Sequence, residues 1–190
     1  MPNVFGREAN SVEEIVGVFR AHGDRVRETY RARYVWSPEA GNPYAVATAL
    51  ERPESLRANP PDVVFPWEQV FIAAVTCAGS DYPMLAGHLG IALERAELTI
   101  DGVFDPRGEF DGLAGFQAPA DAAPCYLSLH LRAVLDSPAP RERLEALHQR
   151  VVARNMVLGA LRGIPRTSAL TIRDPRAPSA TRAGGAPRAD

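Results

Sequence analysis

Cys77, inside the segment AAVTCAGS, is the residue with the most chemical potential in the chain. A thiol that lines a pocket becomes a nucleophile once ionised. Free cysteine is also among the side chains most often buried as plain packing, so the residues alone leave both readings open. Asp81 follows one helical turn later, and its charge works against a thiolate. His88 lies further along the same segment, about 16 Å up a helix axis, beyond reach as a base for Cys77 unless a break at Pro83 folds the chain back. The second cysteine, Cys125, opens a strand as a resolving thiol or a packing residue. Glu68 stands at the start of the segment that carries Cys77. There a carboxylate either complements the helix dipole or orients an arginine at a pocket. His130 and Arg132 fall on the polar side of a later strand, and His22 and His148 on helical surfaces. No histidine pair has metal-ligand spacing, so no metal is expected. There is no G-x-S-x-G elbow and no glycine-rich phosphate cradle, so no cofactor is expected.

The elements that must hold these residues follow from periodicity. Ser11 and Glu14 fit a capping box, and Val12, Ile15, Val16 and Phe19 mark one face of a short helix ending at Gly23. From Arg27 the period is two: Tyr30, Ala32, Tyr34 and Trp36 alternate with mostly charged residues, as a half-buried strand does. The turn SPEAGNP and a second strand over 44–50 complete a hairpin, and the proline-rich stretch 51–66 reads as a loop. Pro66 opens a helix that is apolar almost all round and hence buried on most sides. Pro83 predicts a kink or break near Ser80–Tyr82. Strands follow over 96–104 and 127–135, then a helix with Leu144, Leu147, Val151 and Val152 as its stripe, a short helix over 156–161 and a last strand over 167–172. Strand pairs beside two main helices give an α+β domain.

Length and composition bound what this domain can be. A chain of 190 residues, 46% hydrophobic and 23% charged, has enough apolar material for one core. The net charge of −2 lacks the basic surplus of a nucleic-acid binder. All 21 basic residues are arginine. Acidic residues occupy the region where a signal peptide would be apolar, and no uninterrupted apolar run reaches about 18 residues, so neither secretion nor membrane contact is expected. Two cysteines are too few for a disulfide framework, which leaves a soluble, cytoplasmic protein as the expectation.

Four segments, in order, resemble the OsmC/Ohr family of hydroperoxide-detoxifying proteins. PWEQVFIAAVTC (66–77) is similar to the family's P-E-E-L-L-L-A-A-L-x-x-C, which opens its central helix. HLGIALERAELTIDGVFD (88–105) is similar to the helix end, G-I turn and strand that come next. LRAVLDSPAPRERLEALHQRVVARN (131–155) resembles the strand, V-x-S-x-A-P turn and second long helix, and LRGIPRTSALTI (161–172) the closing helix and strand. The resemblance spans about 27–173. It implies an α+β, OsmC-like fold with bent antiparallel sheets and two long helices. The residues before it form an N-terminal arm (1–26) with the short helix, and those after it (174–190) lack apolar anchors and are expected to be a disordered tail. The resemblance also implies an intertwined homodimer with the central helix buried at the interface and two sites there. Cys77 matches the family's peroxidatic cysteine. Asn155 stands at the resolving-cysteine position, and asparagine cannot form a disulfide. The family's glutamate column falls on Trp67, with Glu68 one residue off. The assisting arginine is expected near the first hairpin turn, where SPEAGNP offers none and Arg33 lies nearby. The implied activity is reduction of organic hydroperoxides at Cys77, with Glu68 assisting and an external small-molecule or protein thiol as resolver. The alternative is a non-catalytic relative that binds a small apolar ligand in the dimer-interface pocket.

Overall fold

The computed structural model describes residues 3–124 and 126–176. Cys125 and most of the expected tail, residues 177–190, lie outside the described residues. The chain opens with a two-residue hairpin, β1 (Asn3–Val4) and β2 (Arg7–Glu8), turned by Phe5 and Gly6 at positive φ. Helix α1 (Val12–His22) starts where the Ser11 side chain accepts the Glu14 N–H at 3.2 Å, and stops at Gly23, whose φ of 54° suits glycine. Glu14 completes the cap by accepting the Asn10 N–H at 2.6 Å.

The main sheet is built from β3 (Glu28–Trp36), β4 (Thr48–Glu51), β5 (Arg95–Phe104), β6 (Tyr126–Asp136) and β7 (Arg166–Arg173), in the order β4-β3-β5-β6-β7. β4 is shorter than the expected 44–50, because Asn42 accepts the Tyr44 N–H at 3.0 Å and winds 43–45 into a 3-10 turn. Three pairings are antiparallel, but β6 and β7 pair parallel, so the sheet is mixed. Helices α3 (Arg141–Arg154) and α4 (Met156–Ala160) carry the chain back to the starting end of β6, as a parallel neighbour requires.

Helix α2 (Pro66–His88) crosses one face of this sheet. Its inward side, including Phe71, Val75, Ala78 and Tyr82, packs on the inward row Tyr30, Ala32 and Tyr34 of β3 and on Leu98 and Ile100 of β5. By length and hydropathy alone its 23 residues could cross a membrane, which the expectation from apolar runs did not anticipate; half of its most apolar window is buried against the rest of the chain. Of the kink or break expected near Ser80–Tyr82, the break does not occur, and the helix runs through Pro83. Proline deprives the carbonyl of Gly79, one turn earlier, of its donor. Both residues are buried, and packing on the sheet offsets that loss. Gly79 is required there: a Cβ would lie 2.4 Å from the Tyr34 ring.

The N-terminal helix does not join the main core. With Val26 and Phe116 it forms a second apolar cluster through Val16 and Phe19, against the 3-10 turns of the 106–116 connection. After β7, Arg176 donates to the Asp174 carboxylate and, at 2.8 Å, to the Pro138 carbonyl.

Candidate functional site

Cys77 sits in the middle of α2, half-buried, on the side facing the junction of α3 and α4. Asn155 occupies that junction and is itself buried. Its φ of −61° and ψ of 133° end α3, and its Oδ1 accepts the Leu158 N–H at 2.9 Å as the N-cap of α4. This bond decides which way the amide faces: with oxygen on the cap, Nδ2 must point towards α2. Nδ2 donates one hydrogen to Cys77 Sγ at 3.2 Å and the other to Asp81 Oδ2 at 2.8 Å. The residue at the resolving position is therefore a hydrogen-bond donor to the sulfur. The same amide holds the Asp81 carboxylate, which sequence spacing placed one turn from the thiol.

Further along the antiparallel α2–α3 contact, Tyr82 Oη and His148 Nδ1 share a hydrogen bond of 2.7 Å. His148 is buried, not on the helix surface as its position suggested. Burial pushes its pKa below the usual 6.5, which favours the neutral ring. One polar seam thus runs between the two helices, with Cys77, Asn155 and Asp81 at one end and Tyr82 and His148 at the other.

Glu68 is fully buried in the first turn of α2, where it accepts the Phe65 N–H at 2.9 Å. Its cation is Arg52, which binds it bidentately at 2.7 and 2.9 Å. Hydrogen bonding to Glu68 pushes the Arg52 pKa up. The remaining Arg52 donors reach the carbonyls of Asn59, Pro60 and Val63, so one guanidinium organises the whole loop before α2. Nine residues separate Glu68 from Cys77, about 14 Å along the axis. Within one chain the structure does not bring them together. Arg33 pairs instead with Glu97 at 2.7 Å, on the sheet face away from α2. Sequence reading missed Arg52. The available signal was that a buried carboxylate needs a cation, and the loop between β4 and α2 holds only Arg52 and Arg57.

The other candidates lie apart from this seam. Arg132 pairs with Asp101 at 2.6 Å and His130 with Thr167, both on the solvent side of the sheet, and His22 stacks on Phe5. Among the described residues, no three His, Cys, Asp or Glu side chains converge as a metal site requires. A groove of about 660 Å³ runs between β4, Arg52 and Ile72 of α2. An apolar cavity of about 220 Å³ lies under α1. Cys77 lines neither.

No protein-family model and no curated protein matches the chain. Its fold is similar to that of a solved OsmC-like protein from Mycoplasma pneumoniae, at 12% identity, with 74% of this chain and 95% of that one covered and a TM-score of 0.48. A second solved structure, from structural genomics, is similar at 10% identity over 68% of this chain and 86% of that one, with a TM-score of 0.47.

Proposed function

We propose that the chain works as an OsmC-like thiol peroxidase of the single-cysteine kind, reducing organic hydroperoxides at Cys77. The observation behind this reading is the Asn155 amide, locked by the α4 cap and donating to Sγ at 3.2 Å. The amide fixes the position of the sulfur at the helix junction, and a thiolate held there is the form that attacks peroxide. In the reaction, the Cys77 thiolate takes the distal peroxide oxygen and the O–O bond breaks. The alkoxide leaves and is protonated by solvent to the alcohol. Sulfur, oxidised by two electrons, becomes a sulfenic acid. Asn155 has no thiol to trap it, so an external thiol condenses with it, releasing water and leaving a mixed disulfide. A second external thiol then frees Cys77 and departs as its own disulfide. This cycle needs a reducing compartment, which fits a cytoplasmic location.

The partner in this reading is a second copy of the chain. Val70, Ala73, Cys77 and Met84 share one face of α2 by their spacing, and Val70, Ala73 and Met84 are exposed on it. A homodimer burying this stripe, over more than about 2,000 Å² in total, would close the site around Cys77.

Intact-mass measurement after mild tert-butyl hydroperoxide tests the chemistry. One added oxygen at Cys77 is expected, lost in Cys77→Ser, kept in Cys125→Ser, and reversed by small thiol. A Cys77–Cys125 disulfide would overturn the single-cysteine mechanism. One observation favours a second reading: Asp81 shares the amide that serves Cys77. If Cys77 stays unmodified in the folded protein, the chain is a non-catalytic relative, and the interface pocket binds a small apolar ligand instead. Light scattering that shows a monomer at micromolar concentration would remove the dimer.

A further inference from the structure

The cavity under α1 exists because the two apolar clusters do not merge. The main core contributes Tyr30, Trp67 and Phe104 to its wall, and the N-terminal cluster contributes Phe19 and Phe110. Trp67 stacks on Phe104 with centroids 5.9 Å apart, and Tyr30 meets Phe104 edge-on at 6.0 Å. Its volume of about 220 Å³ exceeds the roughly 150 Å³ that accommodates a benzene-sized guest.

The charged groups in this wall have one sign. Glu28 lies two residues before Tyr30 on the inward row of β3, opposite Phe104, where an apolar side chain is the norm. Glu109, exposed, stands at the rim. Ser55 also lines the cavity and donates both its N–H, at 3.0 Å, and its hydroxyl to the Glu28 carboxylate. That uses two of the roughly four acceptor positions of a carboxylate. The neighbouring arginines are engaged elsewhere. Arg25 pairs with Glu54, Arg27 with Asp105 and Asp121, and Arg107 with Asp105 and Asp24. No arginine lines the cavity among the described residues, and the sequence holds no lysine.

Five aromatic rings and two carboxylates form a surface that attracts a cation at both charged groups and over the ring faces, and offers apolar contact elsewhere. An anion would meet like charge, and a neutral hydrocarbon would leave the carboxylates without a counter-charge. We propose that this cavity binds a small hydrophobic cation: an ammonium or quaternary ammonium group carrying an apolar body about the size of a phenyl ring. The site is separate from Cys77 and does not depend on thiol chemistry.

Isothermal titration of the full chain with phenyltrimethylammonium, its neutral isostere tert-butylbenzene and benzoate tests the assignment. The cation should bind once per chain, the isostere at least about tenfold more weakly, and benzoate not at all. Glu28→Gln should weaken the cation about tenfold and leave the isostere unchanged. Glu109→Gln, at an exposed position, should weaken it severalfold and guards against loss of fold in the first variant. Phe110→Leu keeps the apolar volume but removes a π face, and should affect only the cation. Cys77→Ser should bind as the natural chain does. The proposal is overturned if the cation fails to bind at millimolar concentration, if the isostere binds equally well, if both glutamine variants bind the cation unchanged, or if Cys77→Ser alone abolishes binding.

Discussion

Asn155 joins three parts of the structure, so its replacement tests the site reading directly. Asn155→Ala removes the α4 cap, worth about 1 kcal/mol. It also removes the amide donor to the Asp81 carboxylate, a charge-assisted bond worth about 1.5 kcal/mol. The bond to sulfur is left out of the sum as the weakest. The loss of about 2.5 kcal/mol corresponds to a melting temperature lower by about 5–10 °C for a chain of this length. Asn155→Ser restores the cap acceptor but is too short to reach Sγ, so it should recover about 1 kcal/mol without restoring thiol reactivity. Asn155→Asp is nearly isosteric and keeps the cap, but it turns both donors into acceptors beside Asp81 and Cys77. With an acceptor charge placed against Sγ in place of a donor, iodoacetamide should alkylate Cys77 severalfold more slowly in Asn155→Asp at neutral pH. Thermal melts report the cap and the Asp81 bond, and alkylation rates report the sulfur. Alkylation of Asn155→Asp as fast as the natural chain would refute the donor role. An unchanged melting temperature in Asn155→Ala would refute the bridging role.

Three other perturbations probe the frame around the site. Arg52→Met strands the buried Glu68 carboxylate and should cost about 3–5 kcal/mol in urea unfolding, while Arg52→Met with Glu68→Leu should recover most of it; a loss under about 1 kcal/mol for the single change would contradict the pairing. Gly79→Ala drives a Cβ to 2.4 Å from the ring of Tyr34, which is fully buried and tied by its hydroxyl to the Pro43 carbonyl. It should destabilise by about 2 kcal/mol net of the helix-propensity gain, whereas Gly87→Ala, with open space around it, should stabilise by about 0.5 kcal/mol. Burial lowers the His148 pKa below 6.5, so the unfolded chain binds the proton more readily. His148 therefore contributes no pH dependence above about 6.5, and stability should fall as pH drops from there towards the folded-state value. Melting curves of His148→Gln across pH 5–8 should lack that slope, and an identical slope in both proteins would place its origin elsewhere.

What the sequence alone determined is whatever depends on neighbours a few residues apart. Period two marked β3, β5 and β6, period 3.6 marked α1 and α3, Ser11 with Glu14 marked a cap, and Gly23 a stop, because these patterns follow from how a strand or helix points its side chains. Cys77 on a central apolar helix and Asn155 near the end of the second were readable for the same reason. Only the tertiary structure decided the rest. β7 joins β6 in parallel because of where α3 and α4 deliver the chain, and α2 survives Pro83 because the sheet beneath it outweighs one missing hydrogen bond. Arg52 reaches Glu68 across 16 positions and Asn155 reaches Cys77 across 78. Glu28 faces a cavity whose far wall comes from α1 and the 106–116 connection. No local pattern carries such pairings: a charged or amide side chain has the same propensity whether its partner is solvent or a group brought near by the folding of the whole chain, and burial makes that partner essential.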